Sequence, residues 1–177
     1  MTDAAVPAAM LTPFLKQRDD LGRLVSVTWH GAGAGTRDRR VDDSSSARWL
    51  VAIDGSACSL RAAAMAAQLV ALEPHAEIAL VHVEPWLNRE AAETELPCRG
   101  WAATAQARAL LDAASVGWRL YAVMGEAASE IAGLAEQLDS RGIVIGSRGL
   151  TAAESLFLGS VAYKVVHSAK LPVLIVH

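Results

Sequence analysis

The sequence is poor in cysteine, in positive charge and in long apolar runs. Its two cysteines, Cys58 and Cys98, are too few for a disulfide framework or a zinc site, so we predict a protein of the reducing cytoplasm. No run of about 18 apolar residues occurs, which predicts that no helix crosses a membrane, and residues 1–5 lack the basic start of a signal peptide. A net charge of −3 argues against nucleic acid as a partner, because neutralising phosphates requires a basic surface.

The composition of the chain changes near residue 47. Residues 36–46 are almost entirely polar, which favours a mobile segment over a packed one. We therefore predict that residues 1–47 form a largely flexible N-terminal extension that contributes little to the core, although residues 24–29 have the composition of a strand. Residues 48–177 are then the folded domain, which is long enough to form one proper core.

Within residues 48–177, apolar strand-like runs alternate with helical patterns. The five predicted strands are residues 48–54, 78–83, 118–124, 143–145 and 171–176. Strands that alternate with helices of this length predict a three-layer α/β domain with an open, parallel, five-stranded sheet and right-handed crossovers. Apolar and polar residues partly alternate in the third strand, which predicts a position towards an edge of the sheet. The fifth strand is also predicted at an edge, because Pro172 has no N–H to donate to a neighbouring strand.

The helices are predicted from apolar spacing and capping residues. Ser56 is expected to cap the first helix, whose buried stripe would include Met65 and Leu69. Residues 86–97 are expected to be a loop, and the second helix is expected to span residues 99–115.

A glycine-rich stretch follows the fourth predicted strand. Gly146 and Gly149 are three residues apart and, after nine further residues, Gly159 and Ser160 stand at the start of the last helix. Glycine lets the backbone approach phosphate oxygens closely, and a helix N-terminus offers unpaired N–H groups and a positive dipole end. Ser160 adds a hydroxyl donor. The spacing by itself equally allows a turn that only joins strand to helix.

Three features fall at the carboxyl ends of predicted strands. Asp54 follows the first strand, Val83 ends the second, and the glycine-rich stretch follows the fourth. In open parallel sheets, ligands bind beyond these ends, where the strand order reverses. One acid, one backbone edge and one phosphate-type loop suit a nucleotide better than a sugar or an apolar ligand.

The chain here resembles the universal stress protein family, over residues 48–177. Residues 51–56, 80–83 and 145–176 carry the resemblance, and the pattern Gly-x-x-Gly, nine residues, Gly-Ser is similar to the signature of the family's ATP-binding branch. The resemblance implies a Rossmann-type fold like that of the adenine-nucleotide α-hydrolases, with strand order 3-2-1-4-5. It also implies a homodimer formed along the fifth strand, from Leu171 to Val176.

By position, the resemblance implies a set of nucleotide-binding residues. They are Ala52, Ile53, Asp54, Val83, Ile145, Gly146, Arg148, Gly149, Gly159, Ser160 and Val161. The implied ligand is ATP, or ADP or AMP, with Mg²⁺ bridging the phosphates where the family binds a divalent ion. Asp54 is the nearest acid for that ion, although an acid at this place could also cap the next helix.

The implied function is that of an ATP-binding module in stress response or signalling. Efficient hydrolysis is not supported, because the sequence has no P-loop lysine and no candidate base near the loop apart from Asp54. His82 is expected to be a hydrogen-bonded core histidine. Two alternatives stay open: a dimeric interaction module that needs no nucleotide, and a slow ATPase.

Overall fold

The computed structural model describes residues 12–31, 48–71, 73, 76–150 and 158–177. Seven strands and five helices lie within these residues. In chain order they are β1 (Leu15–Arg18), β2 (Leu24–His30), β3 (Arg48–Ala52), α1 (Ala57–Val70), β4 (Glu77–Glu84), α2 (Arg89–Ala103), α3 (Ala105–Ala113), β5 (Gly117–Met124), α4 (Ala127–Gln137), β6 (Gly142–Gly146), α5 (Ser160–Ser168) and β7 (Val173–Val176). No helix among them is long and apolar enough to cross a membrane.

The strands form one sheet in the order β1-β2-β5-β4-β3-β6-β7. The five strands from β5 to β7 are parallel and have the predicted order 3-2-1-4-5, which is confirmed. The predicted sheet of five parallel strands is wrong in number, because β1 and β2 add two antiparallel strands next to β5. Helices α1, α2 and α3 pack on one face of the sheet and α4 and α5 on the other, so the domain has three layers.

The N-terminal hairpin of β1 and β2 belongs to the core. Leu24, Val27 and Trp29 of β2 are fully buried, and the ring of Trp29 lies 5.6 Å from that of Trp101 in α2. The prediction that residues 1–47 contribute little to the core is therefore wrong for β2. The reason is a long-range one, because the hairpin gains its apolar partners only from β5 and α2. Residues 1–11 and 32–47 of the predicted extension lie outside the described residues.

The docking of β2 also changes the place of β5. The prediction put this strand towards an edge, but it lies between β2 and β4 and all eight of its residues are buried. The predicted edge position of β7 is correct, since β7 ends the sheet order beside β6.

The buried face of α1 consists of small residues rather than the predicted Met65 and Leu69. Each of those two side chains is 36% exposed, whereas Ala62, Ala63 and Ala66 are fully buried. Small side chains let the helix axis approach the sheet closely, so the alanine face packs best and the larger residues turn outward. As predicted, the Ser56 side chain caps this helix by accepting from the Ser59 amide.

The second predicted helix begins earlier than expected. Residues 86–97 were predicted to be a loop, but α2 starts at Arg89, and the Asn88 side chain caps it by accepting from the Ala91 amide at 2.8 Å. Pro97 lies inside this helix, where proline normally removes a hydrogen bond, and its neighbours Leu96 and Trp101 are buried. Helix α3 follows as a separate element after Thr104.

Candidate functional site

A pocket of about 380 Å³ opens where the strand order reverses, between β3 and β6. All eleven residues predicted for the nucleotide lie in its lining. They are Ala52, Ile53, Asp54, Val83, Ile145, Gly146, Arg148, Gly149, Gly159, Ser160 and Val161. The structure thus brings together the ends of β3, β4 and β6 with the start of α5. We call this cavity the strand-end pocket.

The carboxylate of Asp54 joins the end of β3 to the loop after β6. Its Oδ1 accepts from the Ser56 amide at 2.9 Å, and its Oδ2 accepts from the Leu150 amide at 3.1 Å. Burial opposes ionisation of this carboxyl, but hydrogen bonds from Ser56, Ser59 and Leu150 outweigh it and hold the pKa of Asp54 below its ordinary value. Asp54 is therefore an anion at neutral pH, fixed at the wall of the pocket.

The predicted glycines of the loop make three different close approaches. A Cβ on Gly149 would lie 2.7 Å from Asp54 Oδ2, so this glycine makes room for the carboxylate. A Cβ on Gly146 would lie 2.7 Å from the backbone carbon of Cys58, so the glycine is explained by the packing of α1 on β6. At Gly159 the nearest atom would be the Ser147 carbonyl oxygen, at 3.3 Å.

The N-terminus of α5 faces the same pocket. Its N-cap is Gly159, which supplies no side-chain hydrogen bond, whereas the N-caps of α1, α2 and α4 all accept from an amide of the first turn. The amides of Ser160, Val161 and Ala162 are in the first turn, where N–H groups have no partner within the helix. Because all three residues line the pocket, this helix end offers it amide donors and a positive dipole end.

Val83 presents its backbone where β4 extends beyond β3. Ala52 opposite Val81 is the last pair of these strands, and the Ile53 amide then donates to the Val81 carbonyl at 2.8 Å. Backbone groups two residues apart in a strand point to the same edge, so the N–H and C=O of Val83 also point towards the β3 side. No described strand pairs with β4 there, which leaves one donor and one acceptor at the pocket wall.

The histidine at the pocket is engaged by the protein itself. His82 Nδ1 lies 2.8 Å from the Ile53 carbonyl oxygen, and its Nε2 lies 2.9 Å from Glu84 Oε1. The prediction of a hydrogen-bonded core histidine is confirmed.

Several lining residues were not predicted. Leu150 contributes only a backbone amide, and Ala127 and Ile131 reach the pocket because α4 packs over the sheet. Ser147 is 1% exposed, and its hydroxyl has no hydrogen-bond partner within the described structure. Ser147 follows the predicted strand directly, so its place between Gly146 and Gly149 was the one signal that could have identified it.

The described residues form no group of three or more histidine, cysteine, aspartate or glutamate side chains that could hold a metal ion. Asp54 is the one carboxylate among the described lining residues of the pocket. The residues therefore fit a metal ion that takes most of its ligands from phosphate and water, which is the usual behaviour of Mg²⁺.

The comparison with known families agrees with this geometry. A model of the universal stress protein family matches residues 47–177. The chain belongs to the universal stress protein family. Its relatives in that family include universal stress protein YxiE of Bacillus subtilis, which is 32% identical over 149 residues, covering 73% of this chain and 97% of that protein.

Solved structures of universal stress proteins share the fold. One, in complex with cAMP, is 26% identical with a TM-score of 0.59 and covers 74% of this chain and 97% of its own. Another, from Archaeoglobus fulgidus in complex with dAMP, is 21% identical with a TM-score of 0.58. The match covers 75% of this chain and 98% of that one, and at this identity it shows likeness of fold alone. The β1–β2 hairpin precedes the residues that the model of the universal stress protein family matches.

Proposed function

We propose that this chain binds an adenine nucleotide, in the first instance ATP, in the strand-end pocket and acts as a nucleotide-dependent module in stress response or signalling. The observation that carries the proposal is the convergence of the ionised Asp54, the glycine loop after β6 and the N-terminus of α5 on one pocket at the switch point of the sheet. The relative solved with cAMP supports the ligand class.

Each part of a nucleotide has a matching part of the pocket. The amides of Ser160 and Val161, and the Ser160 hydroxyl, suit the phosphates, because an anion is stabilised at a helix N-terminus. The outward N–H and C=O of Val83 suit the paired donor and acceptor on the edge of adenine. The ribose is then expected near Ala52, Ile53 and Ile145, with Arg148 and the loop glycines beside the phosphates.

A divalent ion would enter with the nucleotide. Each Asp54 oxygen accepts one backbone amide, whereas a carboxylate can accept about four bonds, so a metal ion would take the place of a contact from the Ser56 or Ser59 side chain. Asp54 would supply one oxygen to Mg²⁺ bound on the phosphates, and the ion would neutralise phosphate charge beside this carboxylate.

The pocket favours binding over turnover. Its described lining contains three ionisable side chains, Asp54, His82 and Arg148. Both ring nitrogens of His82 are already hydrogen-bonded within the fold, and the lowered pKa of Asp54 makes its carboxylate a weak base, so neither is poised to activate an attacking water. Hydrolysis of ATP needs such a positioned water together with charge stabilisation on the γ-phosphate. We therefore propose little or no hydrolysis.

We also propose a homodimer through β7. The Pro172 carbonyl accepts from Ile143 of β6 and the Val176 carbonyl from Ser147 just after β6, so alternation turns the amides of Val173 and Ile175 to the outer edge of the sheet. The four residues of β7 are apolar and half-buried, and no described strand covers that edge. An apolar edge strand of this kind is a template for pairing with a second copy. The cytoplasmic location expected from the cysteine content stays a prediction.

The test is direct measurement of nucleotide binding with a variant at the start of α5. Mass spectrometry of the purified protein should identify an adenine nucleotide, and calorimetric titration with Mg-ATP should give saturable binding. Ser160→Glu adds a negative charge that suits the helix dipole but repels phosphate, so affinity should fall at least about tenfold without loss of thermal stability.

Ser160→Gln is the matched control, because it removes the hydroxyl and adds similar bulk without charge. It should weaken binding far less than Ser160→Glu. Absence of saturable binding at millimolar ATP would contradict the proposal, and so would equal affinities of the two variants.

A further inference from the structure

A second cavity lies on the face of the sheet that also carries α4. It has a volume of about 620 Å³ and lies between α4 and the part of the sheet formed by β1, β2 and β5. The hairpin widens the sheet by two strands. The described helices on this face, α4 and α5, pack over the parallel strands, so the cavity forms where the sheet extends beyond them. We call this cavity the hairpin cleft.

Two arginines near the amino ends of parallel strands, Arg48 of β3 and Arg119 of β5, form one part of the cleft wall, and Glu77 of β4 pairs with both. Arg48 and Glu77 are opposite each other at the starts of β3 and β4, and Arg119 lies on the same face of β5. The carboxylate Glu77 Oε2 lies 3.5 Å from Arg48 Nε and 3.3 Å from an Arg119 guanidinium nitrogen. Both arginine side chains are about nine-tenths buried, at 8% and 10% exposure. This group stands at the opposite end of the strands from the strand-end pocket.

This group carries an excess of positive charge. Two guanidinium groups share one carboxylate. Within the described residues the buried Nε of Arg119 has no hydrogen-bond partner, and the buried Nε of Arg48 has only its ion pair with Glu77 at 3.5 Å, which is longer than a normal hydrogen bond. Buried donors without partners cost stability unless a ligand completes them. Nearby, burial and then the charge of Arg119 hold the pKa of His30 below its ordinary value, which agrees with a positive potential there.

The remaining acids of the cleft do not cancel that charge. The carboxylate of Asp19 lies 2.9 Å from Arg23 Nη2 and forms an ion pair with it. Glu130 is at the α4 side of the cleft, where burial and then the charge of Glu126 raise the pKa of its carboxyl. Neither acid contacts Arg48 or Arg119 in the described structure.

The rest of the lining is mixed. Apolar side chains such as Phe14, Trp86 and Leu134 lie there beside polar ones such as Gln17 and Thr28. Gly133 of α4 also lines the cleft, and a Cβ placed on it would meet no atom of the described residues within 4 Å. A glycine inside a helix costs stability relative to alanine, and no packing contact with the described part of the chain explains this one. The open position keeps space in the cleft.

We propose that the hairpin cleft binds a small organic acid, with its single anionic group on Arg48 and Arg119 and its apolar or aromatic body between the hairpin and α4. Guanidinium pairs are well suited to carboxylate-type anions, because they donate in a planar fork and stay charged. One negative charge balances the excess left by Glu77. The site is separate from the strand-end pocket and does not rest on nucleotide binding there.

The experiment uses a fluorescent organic monoanion on the full chain. The probe is 8-anilinonaphthalene-1-sulfonate, titrated in the presence of saturating Mg-ATP, and the uncharged comparison is N-phenyl-1-naphthylamine. The sulfonate should bind saturably, and the uncharged compound at least about tenfold more weakly. Equal binding of the two compounds would overturn the proposal.

Three variants test the location. Arg119→Met keeps length and removes charge, so it should weaken binding of the sulfonate at least about tenfold. Gly133→Leu should fill the cleft and block the probe while leaving the melting temperature at or above that of the wild type. Gly133→Ala, the matched control, should raise the melting temperature and leave binding within about twofold.

If Arg119→Met does not fold by circular dichroism, Gly133→Leu decides the question. Wild-type affinity in the Gly133→Leu protein would overturn the proposal. Loss of the sulfonate signal in Ser160→Glu rather than in Gly133→Leu would do the same, because it would place the probe in the strand-end pocket.

Discussion

Replacing Gly149 with alanine perturbs one contact of the strand-end pocket. The new Cβ would lie 2.7 Å from Asp54 Oδ2, and among the described residues the one other atom within 4 Å is Asp54 Cγ at 3.9 Å. Gly149 does not have a positive φ, so alanine introduces no backbone strain there. The flexible carboxylate must therefore move, and its bond from the Leu150 amide, now 3.1 Å, is lost or lengthened.

The magnitudes separate stability from binding. A hydrogen bond to a charged group contributes about 1.5–3 kcal/mol, but this one is solvent-exposed and so contributes less. Removing a glycine stabilises the fold by about 0.4–1 kcal/mol through the unfolded chain. We expect the free energy of unfolding to change by less than about 1.5 kcal/mol, while Mg-ATP affinity falls at least about tenfold because the carboxylate shifts beside the phosphates.

Gly146→Ala is the contrasting variant. Its Cβ would lie 2.7 Å from the Cys58 carbonyl carbon and 2.9 Å from the Ser59 amide nitrogen, both backbone atoms of α1. These atoms cannot move without shifting the helix, so this substitution should destabilise the fold by about 1–3 kcal/mol, as overpacked cores do.

The assay is urea unfolding combined with calorimetry, in a double-mutant cycle with Asp54→Ala. If the alanine methyl acts through the carboxylate, Gly149→Ala should have little further effect on Mg-ATP affinity once that carboxylate is gone. An equal loss of affinity in both backgrounds would refute the reasoning, and so would a Gly149→Ala protein that binds as the wild type does.

Three further predictions concern the carboxylate, the hairpin and the edge strand. Because the pKa of Asp54 is lowered on folding, its contribution to stability is present above the ordinary aspartate pKa of about 4 and is lost as pH falls through the folded value. The melting-temperature advantage of wild type over Asp54→Asn should therefore shrink from pH 7 to pH 3, and a constant difference would contradict it. Trp29→Ala should lower the free energy of unfolding, measured in urea, by about 3–5 kcal/mol. The control Leu21→Ala, at a side chain that is 79% exposed, should lower it by about 0.5 kcal/mol or less. A loss for Trp29→Ala as small as that of the control would mean that the hairpin is not part of the core. Val173→Pro removes an outward amide and should give monomers by light scattering, while Val173→Ala should stay dimeric; dimers of both would rule out pairing along β7.

The residues that line the strand-end pocket could be located from the sequence because local rules place them, while their role in binding a nucleotide stays a prediction. Asp54, Val83 and Gly146 each end or follow a parallel strand, and the carboxyl ends of parallel strands meet at one edge whatever the details of packing. The glycine loop and the start of α5 follow β6 directly in the chain. Their position was therefore implied once the alternation of strands and helices was recognised.

Other features depend on partners that are distant in sequence. Whether α1 buries Ala62 or Met65 is decided by how closely the helix approaches the sheet. Whether residues 24–30 are a core strand is decided by β5, about ninety positions further along the chain. Apolar spacing within one segment carries no information on these distances.

The sequence alone determined the alternation of elements and placed Asp54, Val83 and the glycine-rich stretch at strand ends, because these follow from short-range patterns and from the geometry of parallel sheets. The order of the parallel strands and the full set of pocket residues were implied by the resemblance to the family. Only the tertiary structure decided that a hairpin extends the sheet and that Arg48, Glu77 and Arg119 meet beside α4. Those three side chains come from separate strands, and burial brings their charges together only when the sheet has formed.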